Sequence, residues 1–170
     1  RPYPSWLIFK PAMFLTSFLL IKYWYYNKEI IIYLNKDHRY LKKIIFFGVG
    51  SAIALTVHSI FLGIKFDNDL YKLFRRLVML VFIIFEVTAQ AYLVLAFYSF
   101  RDKLKNYINP KVLKAKLILV SILIVLAVIC IPIISWPGDK FKFLKHALEW
   151  DYFLGVITFY LLTFLMWKKK

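Results

Sequence analysis

Five long apolar segments, separated by short polar connections, set the pattern of this chain. A helix needs about 20 apolar residues to cross the hydrocarbon core of a bilayer. The segments that reach this length are 6–26, 44–64, 77–100, 117–136 and 147–167. The pattern therefore predicts an all-α polytopic membrane protein, a bundle of five transmembrane helices that forms a single transmembrane domain over residues 1–170.

Composition and charge agree with a membrane location. The 170 residues are 62% hydrophobic, whereas a soluble domain is about 45–50% apolar. A formal net charge of +15 would also suit a nucleic-acid-binding protein. Here the cations flank the apolar segments, as they do in membrane proteins, so no nucleic-acid partner is expected. The single cysteine, Cys130, excludes an internal disulfide and any multi-cysteine metal site.

The distribution of lysine and arginine between the two sides predicts an orientation. With five spans, one side carries the connections 27–43 and 101–116 and the C-terminus, with fourteen cations. The other side carries nine. The positive-inside rule therefore predicts a cytoplasmic C-terminus and an external N-terminus.

The second segment contains a pair of small residues on one face, and the third contains a single carboxylate. In the second, Gly48 and Ala52 lie four residues apart on one helical face, which predicts a close contact with another helix. In the third, Glu86 is the single acidic or basic side chain. A charge at the centre of a span costs about 2.5–3.5 kcal/mol on insertion scales. At 1.5 Å per residue, Glu86 lies about 13 Å from the outer end of its span, near the midplane.

Two interpretations of Glu86 remain open. The residue either belongs to a polar pocket for a lipid headgroup or a proton, or it is neutral or hydrogen-bonded and only fixes helix packing. Gln90 and His58 have the same alternative, because both side chains commonly form hydrogen bonds between transmembrane helices. The candidates for the polar pocket are Glu86, Gln90, His58, Glu149 and Trp150.

Catalytic and metal-binding motifs are not found in the sequence. His146, Glu149 and Asp151 make a poor tetrahedral set, so no metal site is expected. There is no GxSxG, P-loop or GxGxxG motif, so no catalytic residue and no cofactor are predicted.

Three segments resemble the DRAM/Sfk-like family of membrane proteins. The third, FEVTAQAYLVLAFYSFRD, looks like the family segment in which an intramembrane Glu precedes an apolar stretch and a polar cytoplasmic turn. The penultimate and final helices of the family are similar to KAKLILVSILIVLAVIC and LEWDYFLGVITFYLLTFLMW. Tyr3-Pro4-Ser5 is similar to the Pro-Ser motif that follows the family's first helix.

The resemblance implies a function in lipid handling. The family includes the membrane protein needed for lipid remodelling of GPI anchors. Where the motifs match, the resemblance implies that Glu86, Glu149 and Trp150 are functional residues. The family has six spans, so a sixth helix is expected before Arg1.

The leading functional hypothesis is a non-enzymatic membrane protein that handles or senses lipid through a pocket containing Glu86. One alternative is an accessory subunit of a larger membrane complex, whose partners would be other membrane proteins. Another is a proton-coupled transporter or a lipid-modifying membrane enzyme that uses Glu86 with His58.

Overall fold

A computed structural model describes residues 6–61, 69–135 and 142–168, apart from the side chains of 6, 69, 72, 130–135, 142, 144–146, 148 and 149. These residues form five α-helices: α1 (Trp6–Leu34), α2 (Leu41–Phe61), α3 (Asp69–Ser99), α4 (Pro110–Ser135) and α5 (Lys142–Met166). The described part of the chain contains no β-strand, only an isolated bridge between Ile108 and Trp167. The predicted all-α fold class is confirmed.

Among the residues that the structure describes, four helical segments are long and apolar enough to cross a membrane. They are Leu7–Leu34, Leu41–Phe61, Leu73–Ser99 and Pro110–Ile129. The apolar part of α5, Trp150–Met166, is shorter. Its 17 residues would extend about 26 Å at 1.5 Å per residue, close to the hydrocarbon thickness of a thin bilayer. These lengths support an integral membrane protein.

Each helix extends beyond the apolar segment that predicted it at one of its two ends. α1 continues to Leu34, two turns past the predicted end at residue 26, and α3 begins at Asp69, two turns before residue 77. Hydropathy marks the part of a helix that suits lipid, whereas the backbone hydrogen bonds also continue through polar flanks. Pro11 is the sixth residue of α1 and lies beyond the first turn of the helix.

The chain divides into two compact units, Arg1–Ala89 and Gln90–Lys170. In the first, α1 and α2 are antiparallel, since Trp24 packs on Gly48 and Lys10 Nζ donates to Ile60 O at 3.2 Å. α3 also runs antiparallel to α2, with ring pairs near both ends, Phe47–Phe85 and Phe61–Phe74, each with centroids 5.2 Å apart. That residues 1–170 form one transmembrane domain stays a prediction.

In the second unit, α4 and α5 pack against each other as an antiparallel pair. Leu123 of α4 lies on Gly155 of α5. About two helical turns away, towards the start of α4 and the end of α5, Lys116 donates a hydrogen bond to Thr163. The C-terminal end of α5 is joined to the connection before α4, because Asn109 N donates to Met166 O at 2.8 Å. The ends of α3 and α5 and the start of α4 therefore meet at one end of this unit.

Asparagine side chains shape two connections between helices. Asn109 Oδ1 accepts a hydrogen bond from Lys111 N at 3.0 Å, so Asn109 caps α4, with Pro110 as its first residue. Asn35 Oδ1 accepts from Asp37 N in the α1–α2 connection. There His38 Nδ1 accepts from Tyr40 N, and burial followed by the charge of Arg39 lowers the pKa of His38, which favours this acceptor form.

Candidate functional site

Glu86 lies fully buried in the middle of α3 and makes a polar contact with α2. Its Oε2 atom is 2.7 Å from Oγ of Ser51. Ser51 is also fully buried and lies on the small-residue face of α2, with Gly48 and Ala52. The antiparallel packing of α2 on α3 brings the two residues, 35 positions apart, to the same level. Glu86 is thus hydrogen-bonded within the first unit of the chain.

The Ser51 hydroxyl lies between two oxygen atoms, and these two contacts bear on whether the Glu86 carboxyl carries a proton. Ser51 Oγ is 2.8 Å from Gly48 O as well as 2.7 Å from Glu86 Oε2. A hydroxyl has one proton, and an ionised carboxylate and a carbonyl are both acceptors only. A protonated Glu86 would satisfy both contacts, because it would donate to Ser51 Oγ while Ser51 donates to Gly48 O. The arrangement can therefore hold a proton between two transmembrane helices.

Trp24 of α1 completes this group of buried residues. Its indole ring covers Gly48 so closely that a Cβ at that position would overlap it. The ring is fully buried, and its Nε1 donor has no hydrogen-bond acceptor among the described residues. The Trp24 ring occupies the space that the missing side chain of Gly48 leaves on α2. We call Trp24, Gly48, Ser51 and Glu86 the Glu86 cluster.

His58 lies on the same helix as Ser51, two turns further along. Seven residues at 1.5 Å per residue separate the two by about 10 Å along the axis, too far for a direct contact between His58 and Glu86 at its observed position. The buried Nδ1 of His58 has no hydrogen-bond partner within the described ranges. The structure does not bring the predicted pair of Glu86 and His58 together.

The remaining candidates for the polar pocket, Gln90, Glu149 and Trp150, belong to the second unit. Gln90 is fully buried, one helical turn after Glu86 on α3. Trp150 is 65% exposed, with its ring 6.2 Å from that of Phe153, so the structure places it on the surface of α5. The side chain of Glu149 lies outside the described residues. A pocket that contains these three residues stays a prediction.

Lys116 is a buried polar residue, although it belongs to the cations of segment 101–116 that predicted the orientation. It is fully buried, and its Nζ donates to Thr163 Oγ1 at 2.6 Å and lies 4.0 Å from the ring centroid of Phe159. Thr163 in turn donates to Phe159 O at 2.9 Å. A signal was present in the sequence, because the residue falls into the helical spacing of the buried face of α4, which comprises Leu113, Lys116, Val120 and Leu123.

Comparisons with other proteins do not identify a family for this chain. No protein-family model, no curated protein and no solved structure matches the chain. Among the described residues, no three His, Cys, Asp or Glu side chains are grouped so that they could hold a metal ion. The Glu86 cluster is therefore the structural feature that indicates a function for this chain.

Proposed function

We propose that this chain is an integral membrane protein that handles or senses lipid through the Glu86 cluster. The observation that carries the proposal is a fully buried carboxyl group in the middle of an apolar helix, hydrogen-bonded to a serine on a neighbouring helix. Ionisable residues within transmembrane segments are rare and commonly mark functional sites. The resemblance of segment 85–102 to the DRAM/Sfk-like family also supports lipid as the ligand.

The polar groups of the cluster suit the oxygen-rich part of a lipid. The Nε1 donor of Trp24, which has no acceptor in the described part of the chain, would bind an ester or phosphate oxygen. The carboxyl of Glu86 would donate to such an oxygen when protonated and would attract a lipid amine when ionised. A lipid would reach the cluster by local separation of the helices. In the proposed orientation, the C-terminus is cytoplasmic.

Native mass spectrometry of the full chain, gently extracted with its own lipids, tests the proposal. We expect a defined lipid to remain bound to the wild type and to be lost in Glu86→Leu, which keeps an apolar side chain but removes both oxygens. Equal retention of that lipid in Glu86→Leu would contradict the proposal. Thr158→Val is a matched control, because Thr158 is an exposed helix residue whose hydroxyl donates only within its own helix, to Leu154 O.

The variant Glu86→Gln then distinguishes hydrogen bonding by the carboxyl group from the effect of its negative charge. Glutamine can donate to Ser51 Oγ as a protonated carboxyl does, so we expect the variant to insert and fold. Retention of the lipid in Glu86→Gln would indicate hydrogen bonding, and its loss would indicate that the negative charge is needed. Loss of folded protein in this variant would instead show that Glu86 is structural.

The proton count at Ser51 favours one second candidate, a proton-coupled transporter or a lipid-modifying enzyme. A protonated Glu86 would donate to Ser51 Oγ while Ser51 donates to Gly48 O, so the carboxyl has a partner for the proton that such a protein would transfer. Such a protein would lose activity in Glu86→Gln while still folding. If partner proteins co-purify in fixed stoichiometry instead of a lipid, the chain is an accessory subunit of a membrane complex.

A further inference from the structure

Six exposed cations gather at one end of the second unit, where the ends of α3 and α5 meet the start of α4. Among the described residues of this region the single carboxylate is that of Asp102, which is 92% exposed and has Oδ1 3.7 Å from Arg101 Nε. Segment 101–116 thus has six basic residues and one acidic residue. We call the exposed cations of this end the cationic platform: Arg101, Lys103, Lys105, Lys111, Lys114 and Lys168.

The connection that carries the platform is folded. Leu104 and Ile108 are buried, and Leu104 N and Ile108 N donate to carbonyl oxygens four residues back along the chain. The end of α5 is joined to it, because Lys168 N donates to Tyr107 O at 2.9 Å and Lys168 Nζ to Lys105 O, also at 2.9 Å. The apolar side chains thus point inward, and the basic ones are held on the outside.

The platform cations contact aromatic rings and main-chain oxygens more than carboxylates. Arg101 lies over the ring of Tyr98 and donates to its hydroxyl at 2.7 Å, and Lys103 lies over Phe100. In the described part of the chain, Lys111 and Lys114 form no ion pair. The positive charge of the platform is therefore largely uncompensated and available to an external anion.

We propose that the cationic platform binds the headgroups of anionic phospholipids in the membrane that the chain spans. The platform lies at the ends of apolar helices, the level at which lipid phosphates are found. Partly exposed aromatic residues, Tyr98, Tyr107 and Trp167, lie beside the cations, as is typical of side chains at the headgroup level. Clusters of four to eight cations next to a span are typical of sites for anionic lipid.

This geometry favours lipid over a soluble anionic partner such as nucleic acid or an acidic protein. Lys111 and Lys114 project from the first turns of α4, and Arg101 follows the last turn of α3, so the charges are tied to the membrane boundary. The site involves none of the Glu86 cluster residues and belongs to the other unit. Its failure and that of the proposed function are therefore distinguishable.

The test compares lipid affinities of the full-length protein by native mass spectrometry. The probes are phosphatidylcholine, phosphatidylserine and a phosphatidylinositol phosphate with matched acyl chains. We expect the wild type to prefer both anionic lipids. The triple variant Lys105→Gln/Lys111→Gln/Lys114→Gln should lose about tenfold or more of this affinity, in a salt-dependent manner, and should keep its affinity for phosphatidylcholine.

A matched triple variant controls for net charge. Lys36→Gln/Lys42→Gln/Lys43→Gln removes three exposed cations from the α1–α2 region, on the same predicted side of the membrane. We expect it to keep the anionic-lipid affinity within about twofold. Equal losses in the two triple variants, or no preference of the wild type for anionic lipid, would overturn the proposal. So would capture of nucleic acid or an acidic protein by the platform without any lipid preference.

Glu86→Leu should leave anionic-lipid binding at the platform unchanged. The platform triple variant should in turn leave the lipid that depends on Glu86 in place. Loss of platform binding in Glu86→Leu would overturn the assignment of the anionic-lipid site to the second unit.

Discussion

Most polar side chains inside these helices form hydrogen bonds within their own helix. Their hydroxyl groups donate to the carbonyl oxygen four residues earlier, as in Ser17, Thr56, Ser59, Ser121 and Thr158. Glu86 and Lys116 differ, because each bonds to a side chain on another helix of its own unit. Sequence reasoning found Glu86 because it interrupts an apolar span. It missed the burial of Lys116 because that residue follows a run of exposed lysines.

The contacts of Lys116 predict unequal effects for two substitutions that remove the same hydrogen bond. Lys116→Met replaces a buried ammonium with an apolar chain of similar length that can still pack on Phe159. We expect a change in the free energy of unfolding of less than about 1 kcal/mol. Thr163→Val leaves the ammonium buried without its oxygen acceptor and should cost about 1–3 kcal/mol. Reversible unfolding of the purified protein in detergent micelles measures both values.

The double variant provides the control for this pair. Once Lys116 is methionine, Thr163→Val removes no acceptor that an ammonium needs, so its cost should fall well below the cost of the single change. Equal costs of Thr163→Val in the two backgrounds would contradict the proposed dependence of Lys116 on Thr163.

At the scale of elements, close packing depends on glycine residues at helix contacts. The spacing of Gly48 and Ala52 predicted a contact face on α2, and this is confirmed, since both residues are buried and α1 packs there. The partner, Trp24, was not predictable from hydropathy. A tryptophan near the end of an apolar segment fits the membrane interface equally well. Only the shape of the groove over Gly48 decides that the ring packs inside.

Two glycine-to-alanine substitutions should therefore differ in effect. At Gly48 the added methyl group meets several atoms of the Trp24 ring, which is buried and rigid. Overpacking of this kind costs about 1–3 kcal/mol or more. At Gly155 the nearest atom is a terminal methyl group of Leu123, which can rotate away, and alanine favours the helix by about 0.5–1 kcal/mol.

Thermal unfolding of the two variants in the same detergent checks this prediction. Gly48→Ala should lower Tm clearly, whereas Gly155→Ala should leave it nearly unchanged. Restoring space with the double variant Gly48→Ala/Trp24→Leu should recover part of the loss. If Gly155→Ala were the more damaging change, the assignment of Gly48 as the tighter helix contact would be wrong.

At the scale of the whole molecule, the sequence predicted the five helices of the described residues and the all-α fold class, but not which helices pack together. Each predicted apolar segment corresponds to one helix, because the need for about 20 apolar residues is a property of the segment itself. The contacts of α3 with α2, and of α4 with α5, depend on side-chain shape and polar pairing. Hydropathy does not encode these, and in lipid no hydrophobic force selects one neighbour over another. The bond between Ser51 and Glu86 was not predictable for the same reason.

The antiparallel packing of α4 and α5 leads to a prediction about membrane topology. α5 packs antiparallel to α4, with Leu123 in contact with Gly155. If α4 crosses the membrane, we therefore expect α5 to cross back, although its apolar stretch is shorter. Together with the excess of cations in segments 27–43 and 101–116, this favours a cytoplasmic C-terminus. Single cysteines introduced into a Cys130→Ser background, at the exposed positions Leu70, Lys103 and Lys168, report the sides. An impermeant maleimide applied to intact cells should label Leu70→Cys alone, and the other two should react only after permeabilisation. Labelling of Lys103→Cys and Lys168→Cys alone would invert the orientation. Labelling of Leu70→Cys together with Lys103→Cys would contradict the crossing of α3, and labelling of Leu70→Cys together with Lys168→Cys would contradict the return of α5.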